Sequence, residues 1–190
     1  INLRRALYLN KKLVNNTEGR NYGIDLTLER FLGDNYYYLI TGSVFTSKYK
    51  AGDNVWRNTR YNKGFVLNAL FGKEFYFANN RKVLDVNARV TVTGGERYSP
   101  ILQSQSLAAK RVIFDESRAF SEQLRPLTYA DLTVNYRINH RKSSSVFSFQ
   151  MKNVLSAPIY IDHNYNYQTG QIELSKATLV IPNISYKIEF

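Results

Sequence analysis

The sequence predicts an all-β fold in which antiparallel strands follow one another up and down, as in a transmembrane β-barrel. Three observations lead to this prediction. Apolar and polar residues alternate at period two, the alternating runs are roughly 9–12 residues long, and short connections alternate with long ones. Strands of that length, at about 3.3 Å per residue and a tilt of about 45°, cross a hydrocarbon core about 25 Å thick.

Seven segments alternate clearly enough to be predicted as strands. In the fourth of them, Leu84 and Val86 alternate with Asp85 and Asn87. Polar and charged residues in the middle of a strand suit a face that lines a water-filled lumen. The predicted strands are residues 21–31, 36–50, 58–77, 82–93, 129–139, 143–154 and 183–190, with a possible eighth cut short at residues 4–10.

The individual strands differ in how cleanly their two faces separate. The fourth separates more cleanly than the third, and the first, fifth and last show the same alternation. The second is apolar on both sides at its start, and Val66 and Leu70 interrupt the polar side of the third. The sixth carries Phe147 and Phe149 on its apolar side, and no segment has the pattern of a helix of useful length.

The connections between the predicted strands sort by length. Residues 33–35, 78–81 and 140–142 are short, whereas residues 11–17 and 51–57 are intermediate and residues 99–126 and 155–180 are long. Outer-membrane barrels have tight periplasmic turns and longer extracellular loops. The alternation of short and longer connections therefore predicts a bacterial outer-membrane location with a periplasmic C-terminus. Aromatic residues near strand ends, such as those at 36–38 and 75–77, fit girdles at the two membrane surfaces.

The composition excludes several classes of protein. The chain has 190 residues with 26 lysines and arginines against 15 aspartates and glutamates, a net charge of +11. It has no cysteine and only two histidines, His140 and His163. The mean hydropathy of −0.38 and the absence of a long apolar run exclude a helical membrane protein. Because the chain begins at Ile1, without a methionine or signal peptide, we expect a processed or cut piece of a longer protein.

No catalytic or cofactor-binding pattern is present, so the sequence predicts a protein that is not an enzyme and holds no metal or cofactor. Residues 143–145 are a polar run near a turn, and neither histidine has a ligand partner at metal-binding spacing. The basic residues are dispersed without a recognition motif, so we expect no nucleic-acid binding. We expect them to contact lipopolysaccharide and other outer-membrane lipid, and to line a lumen that attracts anions.

The end of the chain carries a separate signal. Apolar side chains occupy every second position up to the terminal aromatic residue, at Ile184, Tyr186, Ile188 and Phe190. An edge strand of this kind is recognised by strand addition, in which alternate side chains set specificity. We therefore predict that these residues are the signal read by the machinery that assembles outer-membrane barrels.

Several motifs together resemble the C-terminal part of TonB-dependent outer-membrane receptors of Gram-negative bacteria. They are residues 19–30, 56–62, 72–75 and 115–120, together with the ending at 184–190, and the resemblance covers essentially the whole chain. Such receptors are 22-stranded barrels with a plugged lumen. The resemblance implies that residues 1–190 supply about seven or eight strands of the barrel, without the plug domain. It also implies that TonB would act only through upstream residues that this chain lacks.

The function implied by this resemblance is nutrient uptake. The parent protein would bind an iron chelate, a vitamin, a glycan or a peptide and import it with TonB-derived energy. This chain would supply wall and surface loops, in contact with the rest of its barrel and plug. Four loop residues are candidate ligand contacts, because exposed aromatic and arginine side chains suit binding: Trp56, Arg57, Arg118 and Tyr165.

Two other interpretations remain open at this stage. One is a small, self-closed outer-membrane barrel with a structural or adhesive role. The other is a soluble β-sandwich binding module, in which the apolar faces would point into a dry core.

Overall fold

The computed structural model describes residues 17–190, and strands dominate them. The possible strand at residues 4–10 lies outside this range. Besides the strands there are one short helix, α1 (Gln103–Ala108), and a 3₁₀ turn at Glu116–Arg118. The strands are β1 (Glu18–Gly33), β2 (Tyr36–Lys50), β3 (Trp56–Asn58), β4 (Phe65–Phe77), β5 (Lys82–Thr93), β6 (Arg97–Tyr98), β7 (Glu122–Gln123), β8 (Leu127–Asn139), β9 (Ser144–Lys152), β10 (Ile159–Asn166), β11 (Gln171–Ala177) and β12 (Ile181–Glu189).

Seven long strands form one antiparallel sheet in the order β1-β2-β4-β5-β8-β9-β12, and β3 adds a short piece beside β2. The prediction of an all-β, antiparallel, up-and-down sheet is thereby confirmed. Among the described residues the sheet is open, because β1 and β12 lie at opposite edges and do not pair. Two small hairpins, β10-β11 and β6-β7, lie apart from this sheet.

Tight turns connect the strands at one end of the sheet. Asp34 and Asn35 between β1 and β2 have φ values of 51° and 65°, as a two-residue hairpin with primed geometry requires. Asn79 and Asn80 adopt similar values between β4 and β5, and the His140 N–H donates to the Ser143 carbonyl between β8 and β9. The connection predicted as intermediate (residues 51–57) and the two predicted as long (99–126 and 155–180) lie at the opposite end, as predicted.

The register places most apolar side chains of the seven long strands on one face of the sheet. Leu26 of β1 lies opposite Gly42, which lies opposite Leu67 of β4, which in turn lies opposite Val92 of β5. This apolar face is uncovered: Ile24 is 78% exposed at one edge of the sheet and Ile184 is 81% exposed at the other. A strand slipped by one residue would reverse this arrangement, so the hydrophobic pattern fixes the register.

The opposite face is polar, and its side chains bond to one another. The Tyr37 hydroxyl donates to Asp85 at 3.1 Å, and the Asn135 amide donates to the same carboxylate at 2.8 Å. Further along, Arg89 forms an ion pair with Asp131, which is only 5% exposed. Thus the buried part of the molecule is mostly polar.

The described residues have almost no apolar core. Four apolar residues other than glycine are buried, namely Val83, Pro100, Val112 and Ala119, against seven polar or charged ones. An ordinary soluble domain buries its large aliphatic side chains instead. No helix in the described part of the chain is long and apolar enough to cross a membrane.

The structure departs from the sequence prediction at several places, and one is β3, which lies at the end of the connection predicted over residues 51–57. The strand predicted over residues 58–77 begins at Phe65, because residues 59–64 form turns instead. The segment predicted as the loop 155–180 contains the hairpin β10-β11. The long loop between β5 and β8 contains α1, whose six residues are too few for helical periodicity to be visible.

Candidate functional site

The three long loops hold one another at their end of the sheet. We name them loop A (residues 51–64), loop B (94–126) and loop C (153–180). Arg60 of loop A forms an ion pair with Glu96 of loop B at 2.7 Å. The Gln123 amide of loop B donates to the Lys63 carbonyl at 3.0 Å. Tyr167 of loop C donates to the Lys110 carbonyl of loop B at 3.3 Å, so the loops form one connected surface.

Two buried asparagines anchor these loops to the strands. Asn62 accepts the Ser47 N–H at 3.0 Å and donates to Asn58 at 2.8 Å, which joins loop A to β2. Asn153 donates its backbone N–H to the Asp131 carboxylate at 3.0 Å, and its amide donates to the Ala157 carbonyl at 2.9 Å. These bonds give the turn backbone the partners that a strand ladder would otherwise supply.

Close backbone contact explains the Gly94-Gly95 pair at the start of loop B. A side chain at Gly95 would overlap the Leu124 carbonyl, and one at Gly94 would overlap that of Lys63. Only glycine therefore allows the two ends of loop B and the end of loop A to lie this close together.

The loops enclose a cavity of about 60 Å³, which we call the loop cavity. Loop B contributes the aromatic walls, Tyr98, Phe114 and Phe120, and loop C closes the side with Asp162 and His163. The Tyr98 and His163 rings lie 4.7 Å apart at a tilt of 44°. This contact joins the β10-β11 hairpin to loop B.

The loop cavity shifts the pKa values of two side chains that line it, Tyr98 and His163. Burial, and then the neighbouring Glu122 carboxylate, raise the pKa of Tyr98 to about 12, so its hydroxyl stays protonated at neutral pH. Burial lowers the pKa of His163, although Asp162 and Glu122 oppose this effect. Neutral His163 and neutral Tyr98 therefore face one another, as aromatic groups able to donate and accept hydrogen bonds.

A second depression, which we call the Trp56 cleft, brings together three of the four residues predicted from sequence to contact ligand. Trp56, Arg57 and Arg118 all line this cleft of about 180 Å³, and Ser117 lies between the arginines. Arg57 donates to the Ser117 carbonyl at 3.2 Å, which joins loop A to the 3₁₀ turn of loop B. The two segments are separated by 60 residues in the chain, so their proximity was not visible in the sequence.

Carboxylates hold the arginines of the Trp56 cleft in place. Arg57 pairs with Asp53 at 2.7 Å, and its hydrogen bond to this carboxylate lowers the pKa of Asp53. Arg118 pairs with Asp115 at 2.8 Å, and hydrogen bonds from Ser117 and then Arg118 lower the pKa of Asp115 to about 2. Both carboxylates are therefore ionised at neutral pH. The N–H groups of Arg57 are all engaged by Asp53, Val55 and Ser117, whereas Arg118 keeps N–H groups for other partners.

The remaining predicted residues lie elsewhere. Tyr165 is in β10, where its ring meets that of Tyr167 at 5.1 Å, and it lines neither depression. Ile184, Tyr186 and Ile188 lie on the exposed apolar face of the edge strand β12, and Phe190 follows it fully exposed. Sequence reasoning did not select Tyr98 as a site residue, because nothing local distinguishes it from the other tyrosines.

Comparison of the chain with protein-family models, with curated proteins and with solved structures gave no match. Within residues 17–190, no three histidine, aspartate or glutamate side chains converge as metal ligands would. The two depressions offer aromatic rings, arginine N–H groups and carboxylates, which suit the binding of a polar ligand by stacking and hydrogen bonding.

Proposed function

We propose that this chain is part of the wall of a transmembrane β-barrel, the C-terminal segment of a TonB-dependent receptor in the outer membrane of a Gram-negative bacterium. In this proposal the complete barrel has 22 strands, and the parent protein imports a scarce nutrient such as an iron chelate, vitamin, glycan or peptide. The segment is not catalytic. Its C-terminus lies in the periplasm, and its upstream plug and the remaining strands complete the lumen.

One observation carries this proposal: the sheet has an uncovered apolar face, whereas side chains on its polar face bond to one another and include the buried Thr91 and Asp131. Soluble monomers rarely expose contiguous apolar patches larger than a few hundred Å². Here the exposed set runs across all seven long strands, including Leu26, Val44, Phe71 and Leu132. Acyl chains can cover such a face, and the lumen of a barrel accommodates the bonded polar side chains.

The lengths of strands and loops support the same proposal. From Phe65 to Phe75, the apolar residues of β4 span about 33 Å along the strand, or about 23 Å when the strand tilts by 45°. This is close to the height of the apolar band on outer-membrane barrels, about 25 Å. Tight turns at one end and the linked loops A, B and C at the other match the periplasmic and extracellular sides.

The receptor assignment rests further on the quoted motif resemblance and on the loop surface. Loops A, B and C form a connected outer surface with two depressions, as ligand capture at the cell surface requires. Within residues 17–190 the edges β1 and β12 are open, which favours a segment of a larger barrel over the self-closed alternative, since an unpaired edge is costly in lipid. The exposed apolar face disfavours the soluble sandwich.

The experiment is cysteine labelling of the complete protein in intact cells. Residues 1–190 contain no cysteine, so this segment gives no background labelling. Ser104→Cys in loop B and Asn79→Cys in a tight turn form a matched pair of exposed positions. We expect a membrane-impermeant maleimide to label the first in intact cells and the second only after the outer membrane is permeabilised. Labelling with the opposite pattern, or extraction of the protein by alkaline carbonate, would contradict the membrane assignment.

The transport role needs a separate test. In a strain that depends on this protein for growth on a limiting nutrient, deleting TonB or the protein should abolish uptake equally. Uptake that persists without TonB would refute the receptor assignment while leaving the barrel assignment intact.

A further inference from the structure

Four side chains form a basic and aromatic group at the edge of the apolar face nearest the long loops. This group, the rim cluster, consists of Arg20, Lys48, Lys50 and Trp56. Arg20 lies opposite Lys48 in the β1-β2 pair, and Trp56 lies opposite Lys50 in the β2-β3 pair. The Arg20 guanidinium reaches across β2 and lies 3.9 Å above the Trp56 ring, so the four side chains share one face.

The rim cluster continues the apolar face. In β1, Arg20 precedes Tyr22 and Ile24 on the same side of the strand, and both of these are well exposed. In β2, Lys48 lies on the same face as Val44. Lys48 is opposite Arg20 and Val44 is opposite Ile24, so Lys48 and Arg20 lie at the same end of the apolar face. A molecule with acyl chains on the apolar face would therefore place its polar head against the rim cluster.

The charge of the rim cluster is positive overall. Its three cations are accompanied by one carboxylate, that of Glu18, which pairs with Lys50 at 2.6 Å. Within the described part of the chain, neither Arg20 nor Lys48 has a carboxylate partner. Trp56 stacks with Arg20, and a tryptophan ring of this kind favours the headgroup zone.

We propose that the rim cluster binds the phosphate groups of lipopolysaccharide, the phosphorylated glycolipid of the outer leaflet. This inference rests on the proposed membrane location of the sheet. Arg20 and Lys48 supply N–H donors and charge for phosphate oxygens, and the adjoining apolar face supplies contact for the acyl chains. A soluble anion would use the charges but gain nothing from that face.

The test measures binding of fluorescent lipid A to the complete protein purified in detergent, by anisotropy. Bisphosphorylated lipid A should bind more tightly than its dephosphorylated form. The double variant Arg20→Gln/Lys48→Gln should weaken binding about 25-fold, since each basic residue at an anionic membrane surface contributes about fivefold. The matched control is Lys73→Gln/Lys82→Gln, which removes two exposed cations from the other end of the same face and should change affinity less than twofold.

Heat-dependent gel mobility of the same samples reports whether the barrel is folded, so loss of the barrel and loss of lipid binding are distinguishable. Equal weakening by both double variants would overturn the proposal, as would equal affinity for the dephosphorylated lipid. Inorganic phosphate should not displace lipid A at millimolar concentration. Displacement would show that the cluster is a site for free anions and would also overturn the proposal.

Discussion

Gly72 provides a sharp test of how the polar face is packed. It lies opposite Tyr37 in the β2-β4 pair, and the Tyr37 ring crosses it so closely that an added methyl group would overlap the ring. This position brings the Tyr37 hydroxyl to Asp85 at 3.1 Å. We therefore expect Gly72→Ala to displace the ring and break this hydrogen bond.

The magnitude follows from two contributions. A hydrogen bond to a charged group contributes about 1.5–3 kcal/mol, and the lower figure applies because Asp85 keeps the amides of Asn87 and Asn135 as donors. Overpacking adds about 1–3 kcal/mol. Gly72→Ala should therefore lower the free energy of unfolding by about 3 kcal/mol, and Tyr37→Phe alone by about 1.5 kcal/mol.

The assay is reversible urea unfolding of the membrane-inserted protein, with Gly42→Ala as the matched control. Gly42 lies in the same sheet on the apolar face, where an added methyl group would meet only Leu67 at an ordinary 3.7 Å. Its substitution should change the stability by less than 0.5 kcal/mol, the usual range for surface positions. If the two glycine variants have equal stability, Tyr37 does not pack across Gly72 and the account of the polar face is wrong.

Three further predictions concern the polar face, the loop cavity and the chain end. Arg89→Met should cost about 3 kcal/mol in urea unfolding because it leaves the buried Asp131 carboxylate unpaired, and adding Asp131→Asn should recover most of this; no recovery would refute the pairing argument. Since burial lowers the pKa of His163, the folded hairpin binds fewer protons than the unfolded one, so its stability is complete above about pH 6.5 and falls below it. Protease cleavage in β10-β11 should therefore increase from pH 7.5 to 5.5 in the wild type but not in His163→Gln. Phe190→Ala should reduce the amount of protein in the outer membrane without altering the unfolding free energy by more than 0.5 kcal/mol, because this side chain is fully exposed; equal amounts would contradict the assembly signal.

The strand pattern was predictable because apolar and polar side chains separate onto the two faces of the sheet. Period-two alternation gave residues 36–50 and 82–93 with the bounds of β2 and β5, and it identified all seven long strands. Even the less regular start of β2 was recognised, since tight-turn residues mark it. The lengths of the connections then predicted at which end each loop lies.

The alternation of apolar and polar residues predicted a strand wrongly where side-chain hydrogen bonds take the place of those between strands. Residues 58–64 alternate in polarity, but the Asn62 side chain bonds to Ser47 and Asn58, and Gly64 adopts a φ of 84°. In the opposite case, the β10-β11 hairpin is rich in asparagine and tyrosine and was interpreted as loop. Gly170, which has a φ of 67° in the structure, is a turn signal in the sequence. The residues on either side of it show no alternation of apolar and polar side chains as long as that of the seven long strands.

The candidate site was only partly accessible from sequence. The choice of aromatic and arginine residues in the predicted loops included Trp56, Arg57 and Arg118, which the fold gathers in one cleft, although Trp56 and Arg57 are half-buried in β3. Sequence patterns did not predict the loop cavity. Its central contact, between the rings of Tyr98 and His163, joins residues 65 positions apart in the chain (163 − 98 = 65). Such pairing depends on the tertiary path of loops B and C, which no local pattern encodes.

The most direct test of the central claim is nitroxide scanning of β8 in the membrane-inserted protein. Single cysteines would replace Leu132, Thr133, Val134 and Asn135 in turn, and collision with oxygen, which concentrates in lipid, would be compared with collision with a water-soluble nickel complex. High oxygen accessibility is expected at 132 and 134, because these side chains lie on the apolar face. Labels at 132 and 134 that are immobile and inaccessible to both reagents would place them in a dry protein core and contradict the account.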